Sequence, residues 1–373
     1  MRLALVVVAG LFAGCTRPSP PALDAHVPVP VPVPALVSAP PAALAPPPSS
    51  PSWPGSLPKP ALPAPGPIKV IGYPADLRTC LPDPAQHAGF TADGVELGYC
   101  AKAMGSRCEL VDRNGKTRAM ASQTSMREGN GPQDLVNDRL IADFLKDSGL
   151  PRLAQGDCTL RPPPLAGTWA HPDIVVNVLR LEASFKKGPT PVEDKVASQP
   201  LVRVGGAVDG EPPVYPLTYS APHRVMTPPT LGEIPYNVTE LNALVLSPDG
   251  TELGVVVHAN CMEWCDDFQV ARMPAARFAS LVYNDAGFRA LKQGKLERAI
   301  ELFLRAAYVD EARELPAYNL ACAYARKGDP LAETALELAI TRGGDAVRTR
   351  AAKDKDFDAV RTAPWFARLA HLR

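Results

Sequence analysis

The chain has 373 residues with 39 basic and 39 acidic side chains, a formal charge of +0, and 43 prolines. That balance leaves no electrostatic footprint for nucleic acid or for an anionic membrane surface. The length suggests two or three domains. Proline stands at about twice its usual share of roughly 5% and is concentrated near the N-terminus, so about 300 residues remain as an ordinary globular chain able to bury sizeable cores.

Met1-Arg2 brings one positive charge, and Leu3 to Leu11 is apolar apart from Gly10, ahead of Phe12-Ala13-Gly14-Cys15. The run is too short to cross a bilayer as a permanent helix and has the layout of a secretory signal. It resembles the lipobox of bacterial lipoproteins, in which small residues precede a cysteine that is lipidated and becomes the new N-terminus. Phe12 holds the place where that family prefers an aliphatic residue. The resemblance implies a signal peptide over 1–15, a lipid on Cys15 and a lipid-anchored place in the cell envelope. Thr16, where an aspartate is absent, points to the outer membrane, facing the periplasm or the cell surface.

Residues 16–67 contain nineteen prolines, among them Val27-Pro28-Val29-Pro30-Val31-Pro32-Val33-Pro34. Proline fixes φ and lacks an N–H, so the run cannot nucleate helix or sheet and is expected as a disordered, extended tether. At about 3.1 Å per residue it would reach at most on the order of 160 Å. A ligand for a proline-binding groove is the competing reading, but only Arg17, Asp24 and Lys59 supply charge near it.

Two β-rich lobes are expected next, 68–168 with one helix and 169–279. Phe90-Thr91-Ala92-Asp93-Gly94-Val95-Glu96-Leu97-Gly98-Tyr99 reads as strand, Asp-Gly turn, strand. Leu246-Ser247-Pro248-Asp249-Gly250-Thr251-Glu252-Leu253-Gly254-Val255 repeats the pattern 156 residues later. The motif looks like a propeller hairpin, but propellers repeat every 40 to 50 residues, so lobes related by duplication fit better. Further strands are expected at Ile174–Leu181, Leu201–Val204 and Leu241–Leu246. An amphipathic helix carries Leu135, Leu140, Phe144 and Leu145 on its apolar side and ends at Ser148-Gly149-Leu150-Pro151.

Apart from Cys15 and Cys322, the cysteines are Cys80, Cys100, Cys108, Cys158, Cys261 and Cys265. Export implies an oxidising compartment where such residues become disulfides. Six cysteines allow fifteen pairings, and sequence does not choose among them. Cys100–Cys108, Cys80–Cys158 and Cys261–Cys265 is the working assignment. His258, Cys261 and Cys265, with Glu263, Asp266 and Asp267 nearby, are ligand types for zinc or copper. A helical stretch there would set the two thiols one turn apart. A structural disulfide is favoured over metal, redox pair or free thiols, because a fourth ligand is missing. No nucleophile elbow, metalloprotease helix, Walker loop or dinucleotide fingerprint is present.

From Leu281 the period becomes helical. Gly287, Gly294, Ala299, Phe303 and Ala306 stand in the order and spacing of a tetratricopeptide repeat, and Ala317 to Asp329 followed by Ala332 and Ala339 forms a second copy. Gly287 and Ala299 would let two helices approach closely, Gly294 would end the first, and Phe303 and Ala306 would fill the space beneath. The chain is similar to tetratricopeptide proteins over 280–342. Asp354 to Arg361 and Pro364 to Leu369 look like the segment that closes such arrays, with Trp365 and Phe366 as anchors. The resemblance implies a helical domain over 280–373 and a partner-binding face presenting Asn284, Phe288, Leu291, Tyr318, Cys322 and Arg326. The pattern that clamps a terminal carboxylate is missing.

The expected class is therefore α+β, a disulfide-containing β-rich body followed by tetratricopeptide-type helical hairpins. The expected function is a lipid-anchored envelope scaffold or adaptor without catalytic residues, cofactor or metal. Its partner would be a protein held by the hairpins, with the membrane reached through the lipid and no nucleic acid bound. The alternative is a metal- or thiol-dependent enzyme, or a ligand-binding module, centred on His258, Cys261 and Cys265.

Overall fold

The computed structural model describes residues 53–67, 70–71, 85–102, 106–114, 116–122, 132–150, 168–169, 171–183, 197–220, 238–261 and 265–370. Antiparallel sheets occupy the N-terminal half and helices the C-terminal end. The chain divides into two compact units, residues 59–310 and residues 311–373 joined by the segment up to Pro58.

In the larger unit β1 (Gly66–Pro67) pairs with β7 (Thr168–Trp169). Strand β2 (Val70–Ile71) runs parallel to β8 (Asp173–Ala183), which continues antiparallel through β9 (Ala197–Ala207) to β10 (Val214–Ser220). A meander of β3 (Ala85–Phe90), β4 (Leu97–Lys102), β5 (Ser106–Val111) and β6 (Thr117–Ser122) is followed by α1 (Pro132–Ser148). A third sheet joins β11 (Val238–Leu246), β12 (Glu252–Cys261) and β13 (Cys265–Pro274).

Alternation along β4 sends neighbouring residues to opposite faces. Tyr99 enters a cluster with Ala88 and Val256, against which Val245 and Val270 pack. Cys100 enters another with Cys108, Leu110 and Leu150, covered by Ile141, Phe144 and Leu145 of α1. The facing residues Cys100 and Cys108 are joined by a disulfide. Leu140, expected on the apolar side of this helix, is 55% exposed. The stripe that packs inward is the partly buried Ile141, Phe144 and Leu145 with the buried Ser148, at spacings of three and four, and Leu140 lies about a quarter-turn off its start.

The two Asp-Gly turns are built on the same frame of bonds. The Thr91 hydroxyl donates to Asp93 at 2.6 Å and the Ser247 hydroxyl to Asp249 at 2.5 Å. Each hydroxyl oxygen in turn accepts the N–H of Glu96 or Glu252, at 3.1 and 2.9 Å. Each aspartate accepts the N–H of Val95 or Thr251, both at 3.0 Å. Gly94 and Gly250 adopt φ of 71° and 70°, the left-handed region that disfavours a side chain. The turns lie side by side, since a Cβ on Gly94 would come within 3.3 Å of the Pro248 ring. Arg272 ties them together: its Nη1 donates to the Val95 carbonyl at 2.7 Å, its Nε to Glu252 at 2.7 Å, and its guanidinium sits over Phe90. The two expected lobes thus contribute neighbouring sheets to one unit.

Strand β13 ends at Pro274 and α2 (Ala275–Lys292) begins at once, followed by α3 (Leu296–Val309). The helix starts five residues before Ser280 because the Ala275 N–H is already held by the Thr251 carbonyl at 2.8 Å. Helix α2 packs on β9, β10, β12 and β13. A Cβ on Gly206 of β9 would meet Val282 at 2.7 Å, so the bare glycine admits the helix. The smaller unit contains α4 (Glu314–Lys327), α5 (Leu331–Gly343), α6 (Asp345–Lys353), a 3₁₀ turn (Lys355–Val360) and α7 (Pro364–Leu369). Among the described residues no helix is long and apolar enough to cross a membrane.

Candidate functional site

Each helical hairpin is built from small residues at its contact line and a glycine at its bend. In the first, a Cβ on Gly287 would lie 2.8 Å from Cδ1 and Cε1 of Phe303, and Ala299, Phe303 and Ala306 are fully buried. The Ser280 hydroxyl donates to the Ala306 carbonyl at 2.9 Å, which fixes the register between α2 and α3. Gly294, at φ 76°, closes α2: its own N–H reaches Leu291 O at 3.1 Å and the Lys295 N–H reaches Ala290 O at 3.0 Å. Gly328, at φ 73°, closes α4 with the same pair of bonds, Gly328 N–H to Ala325 O and Asp329 N–H to Tyr324 O. Both are Schellman ends, which satisfy carbonyls that a helix terminus leaves open.

Two arginines of the first hairpin, Arg289 and Arg298, hold the β9–β10 turn, and a third supports them from α3. Arg289 donates to the carbonyls of Pro212 and Pro213 at 2.7 and 2.9 Å. Arg298 donates to the Asp209 carbonyl at 2.7 Å and pairs with Glu211 at 3.5 Å and Glu301 at 2.7 Å. Arg305 continues the chain to Glu301 at 2.7 Å and lies over the ring of Tyr283. Burial pushes the Tyr283 phenol up to about 12, so it stays neutral beside these charges. Sequence reading passed over these arginines, because a helix-surface arginine carries no mark of what faces it.

The second hairpin holds the densest polar cluster. Tyr318, Cys322 and Arg326 follow one another at intervals of four along α4 and therefore share a stripe. The segment after α6 lies across that stripe. The Tyr318 hydroxyl donates to Asp354 Oδ2 at 2.7 Å, the Cys322 thiol stands 4.0 Å from the same oxygen, and Arg326 pairs with Asp356 at 3.8 Å. Asp354 Oδ1 accepts the Asp356 N–H at 3.0 Å and so caps the 3₁₀ turn. Phe357 stands edge-on to Tyr318 at 5.9 Å and packs on Phe366 at 5.2 Å, both phenylalanines being fully buried. Trp365 is half-buried and edge-on to Phe366. Arg361 fastens the far side by donating to the carbonyls of Ala352 and Asp354 at 2.5 and 2.8 Å.

Several residues of the expected partner face lie in the interior. Tyr318 is 1% exposed and Cys322 fully buried, with Asp354 and Phe357 of the chain itself against Tyr318. Asn284 at 7% and Leu291 at 5% are also interior. Arg326 keeps 45% of its side chain exposed, and Phe288 is half-buried under the ammonium of Lys292, 4.6 Å from the ring. Asp354, Asp356 and Phe357 belong to the segment expected to close the array; their contacts with Tyr318 and Arg326 could not be read from the sequence.

The ligand atoms of Cys322, Asp354 and Asp356 lie within 4.8 Å of one another, the grouping among the described residues compact enough for a metal ion. Both Asp354 oxygens already accept hydrogen bonds and Asp356 already faces a guanidinium, so the group works as a latch for the closing segment. Cys261 and Cys265 face each other in register across the β12–β13 hairpin, with His258 opposite Phe268. The described residues up to Cys261 and from Cys265 are strand, not the helix on which a two-thiol ion clamp was premised. The register repeats the facing relation of Cys100 and Cys108. Cys15, Cys80 and Cys158 lie outside the described residues.

No family model, curated protein or solved structure matches the chain. The geometry of its own side chains is thus the basis for a functional reading.

Proposed function

We propose that the chain is a lipid-anchored scaffold or adaptor of the cell envelope, held through Cys15 in the outer membrane and recruiting a protein partner through tetratricopeptide-type hairpins. The observation that carries the reading is the hairpin contact at Gly287 against Phe303, with Schellman ends repeated at Gly294 and Gly328. Close-packed antiparallel helix pairs of this kind serve as rigid presenting surfaces. Half-buried Phe288 on the first hairpin and exposed Arg326 on the second are each, within their own unit, left to meet a partner. The part of the reading that invokes catalysis at His258, Cys261 and Cys265 is set aside, because a facing strand pair favours a cross-strand bridge.

Two measurements test this. Replacement Cys15→Ser is expected to move the chain out of the membrane fraction and abolish labelling by a fatty-acid analogue; unchanged fractionation would defeat the anchor. Cross-linking in cells should then recover a partner with the wild-type chain and lose it with Phe288→Ala or Arg326→Glu. Identical partners for all three chains would end the adaptor reading.

A further inference from the structure

Two hairpins of the larger unit set cysteines opposite each other, and in one of them the pair is closed. Cys100 on β4 faces Cys108 on β5, and the two are joined by a disulfide. Cys261 faces Cys265 as the last pair of β12 and β13. The connections are equally long, residues 103–105 in the first hairpin and 262–264 in the second. Lys102 opposite Ser106 is therefore the counterpart of Cys261 opposite Cys265, and the closed pair lies two residues further in. Two residues are one full period of a strand, so both cysteine pairs fall on the same class of pair.

The register that sets Cys261 against Cys265 is fixed elsewhere. A Cβ on Gly254 would come within 2.8 Å of both methyls of Leu97 and 2.9 Å of Val245, so a one-residue slip of β12 would drive Leu253 or Val255 into the fully buried Leu97. Arg272, opposite Gly254, holds β13 through Glu252 and the Val95 carbonyl, each at 2.7 Å. From that pair the ladder runs to Cys261 and Cys265 without a bulge. Directly opposite residues of such a ladder stand about 4.5–5.5 Å apart at Cα, inside the about 4.4–6.8 Å that a disulfide spans. Packing at the base of the hairpin thus sets the two cysteines within reach of a bond at its end.

We propose that Cys261 and Cys265 form a second cross-strand disulfide, which closes the β12–β13 hairpin and leaves neither thiol to hold a metal ion or act as a nucleophile. An external disulfide such as oxidised glutathione takes the electrons. One sulfur–sulfur bond forms in the chain, one breaks in the donor, and the two thiol protons end on the two released donor thiols. The bond needs neither the lipid anchor nor the partner face, so it can fail while the adaptor reading stands.

The full chain is equilibrated with oxidised glutathione, alkylated in denaturant without reductant, and cleaved after glutamate. The cut at Glu263 lies between the two cysteines, so their peptides stay together only through a sulfur–sulfur bond. The expected result is one linked species, unalkylated at both positions and parted by dithiothreitol. Alkylated or glutathione-capped Cys261 and Cys265, or a link from either to Cys80, Cys158 or any other cysteine, would overturn the proposal. Zinc alone, added to the same oxidised chain, should find no site that Cys261→Ser abolishes. One equivalent of zinc bound by the wild type and lost in that variant would equally overturn it, because the metal needs thiolates that a disulfide no longer has.

Discussion

Replacing Gly287 by alanine sets two physical effects against each other. Helix propensity alone favours alanine by about 1 kcal/mol in a helix interior. Packing opposes it, since the new methyl would sit 2.8 Å from two ring carbons of Phe303 and 3.3 Å from Leu302 Cβ. Ordinary carbon contacts need about 3.5–4.0 Å. The ring is fully buried and has no free space to enter, so the helices must part by roughly 1 Å at the point where the Ser280 hydroxyl pins them. Overpacking of this kind costs about 1–3 kcal/mol. The net expectation is a loss of about 1 kcal/mol, or about 2–4 °C in the melting temperature of a unit this size. In a Phe303→Leu background the offending ring carbons are gone, and Gly287→Ala should become neutral or stabilising. Urea unfolding of the four chains gives the coupling directly, expected at about 1–3 kcal/mol. A coupling below about 0.5 kcal/mol, the range of independent sites, would refute the claim that this glycine exists to seat that ring.

Further outcomes follow from the other contacts. Phe357→Ala should weaken the helical unit by about 3–5 kcal/mol, the usual cost of emptying a buried aromatic site; a loss under about 1 kcal/mol in urea would mean that the closing segment does not anchor on Tyr318. Replacing Cys100 and Cys108 together by alanine removes a bridge spanning a sequence separation of 8. A loop of that length predicts a loss of about 2.5 kcal/mol from the unfolded-state constraint, and an unshifted denaturation midpoint would contradict it. Asp249 is held down to about 2 by the Ser247 hydroxyl and then by Thr251, and Asp93 is lowered in the same way. A carboxyl lowered on folding contributes stability that is present above its unfolded value near 4 and is lost as pH falls from there towards about 2. Asp249→Ala should flatten the acid limb of the stability profile in that window, and a parallel profile would argue against the bonds named here.

Local signals were legible where chemistry is local. An aspartate before a glycine between alternating apolar residues announces its turn, because the side chain folds back on the backbone next to it. Gly287, Ala299 and Phe303 were readable as a helix contact because the pattern recurs along the chain. What stayed hidden depends on distant pairing. Nothing in Val70-Ile71 says that it will run parallel to Ile174-Val175. Nothing in Tyr318 says that Asp354, 36 residues on, will take its hydroxyl. A tyrosine facing a solvated groove and one facing a closing segment are written with the same letter, so the expected binding face could be named but not its occupant. The segment 53–58 was hidden for a related reason: prolines dominate the composition around it, while the Trp53 indole closes a turn on the Leu57 carbonyl.

The twin turns share one frame of hydrogen bonds, to which the second adds a bond from the Thr251 hydroxyl to Asp249, yet their glycines live under unequal constraint. Backbone conformation demands glycine at 94 and 250 alike. Around Gly250 there is open space, whereas Gly94 has the Pro248 ring against it. An asparagine, which tolerates the left-handed region, would therefore be admitted at 250 and resisted at 94. If the two hairpins descend from one ancestor, mutational drift since their divergence should be steeper in the copy that faces water.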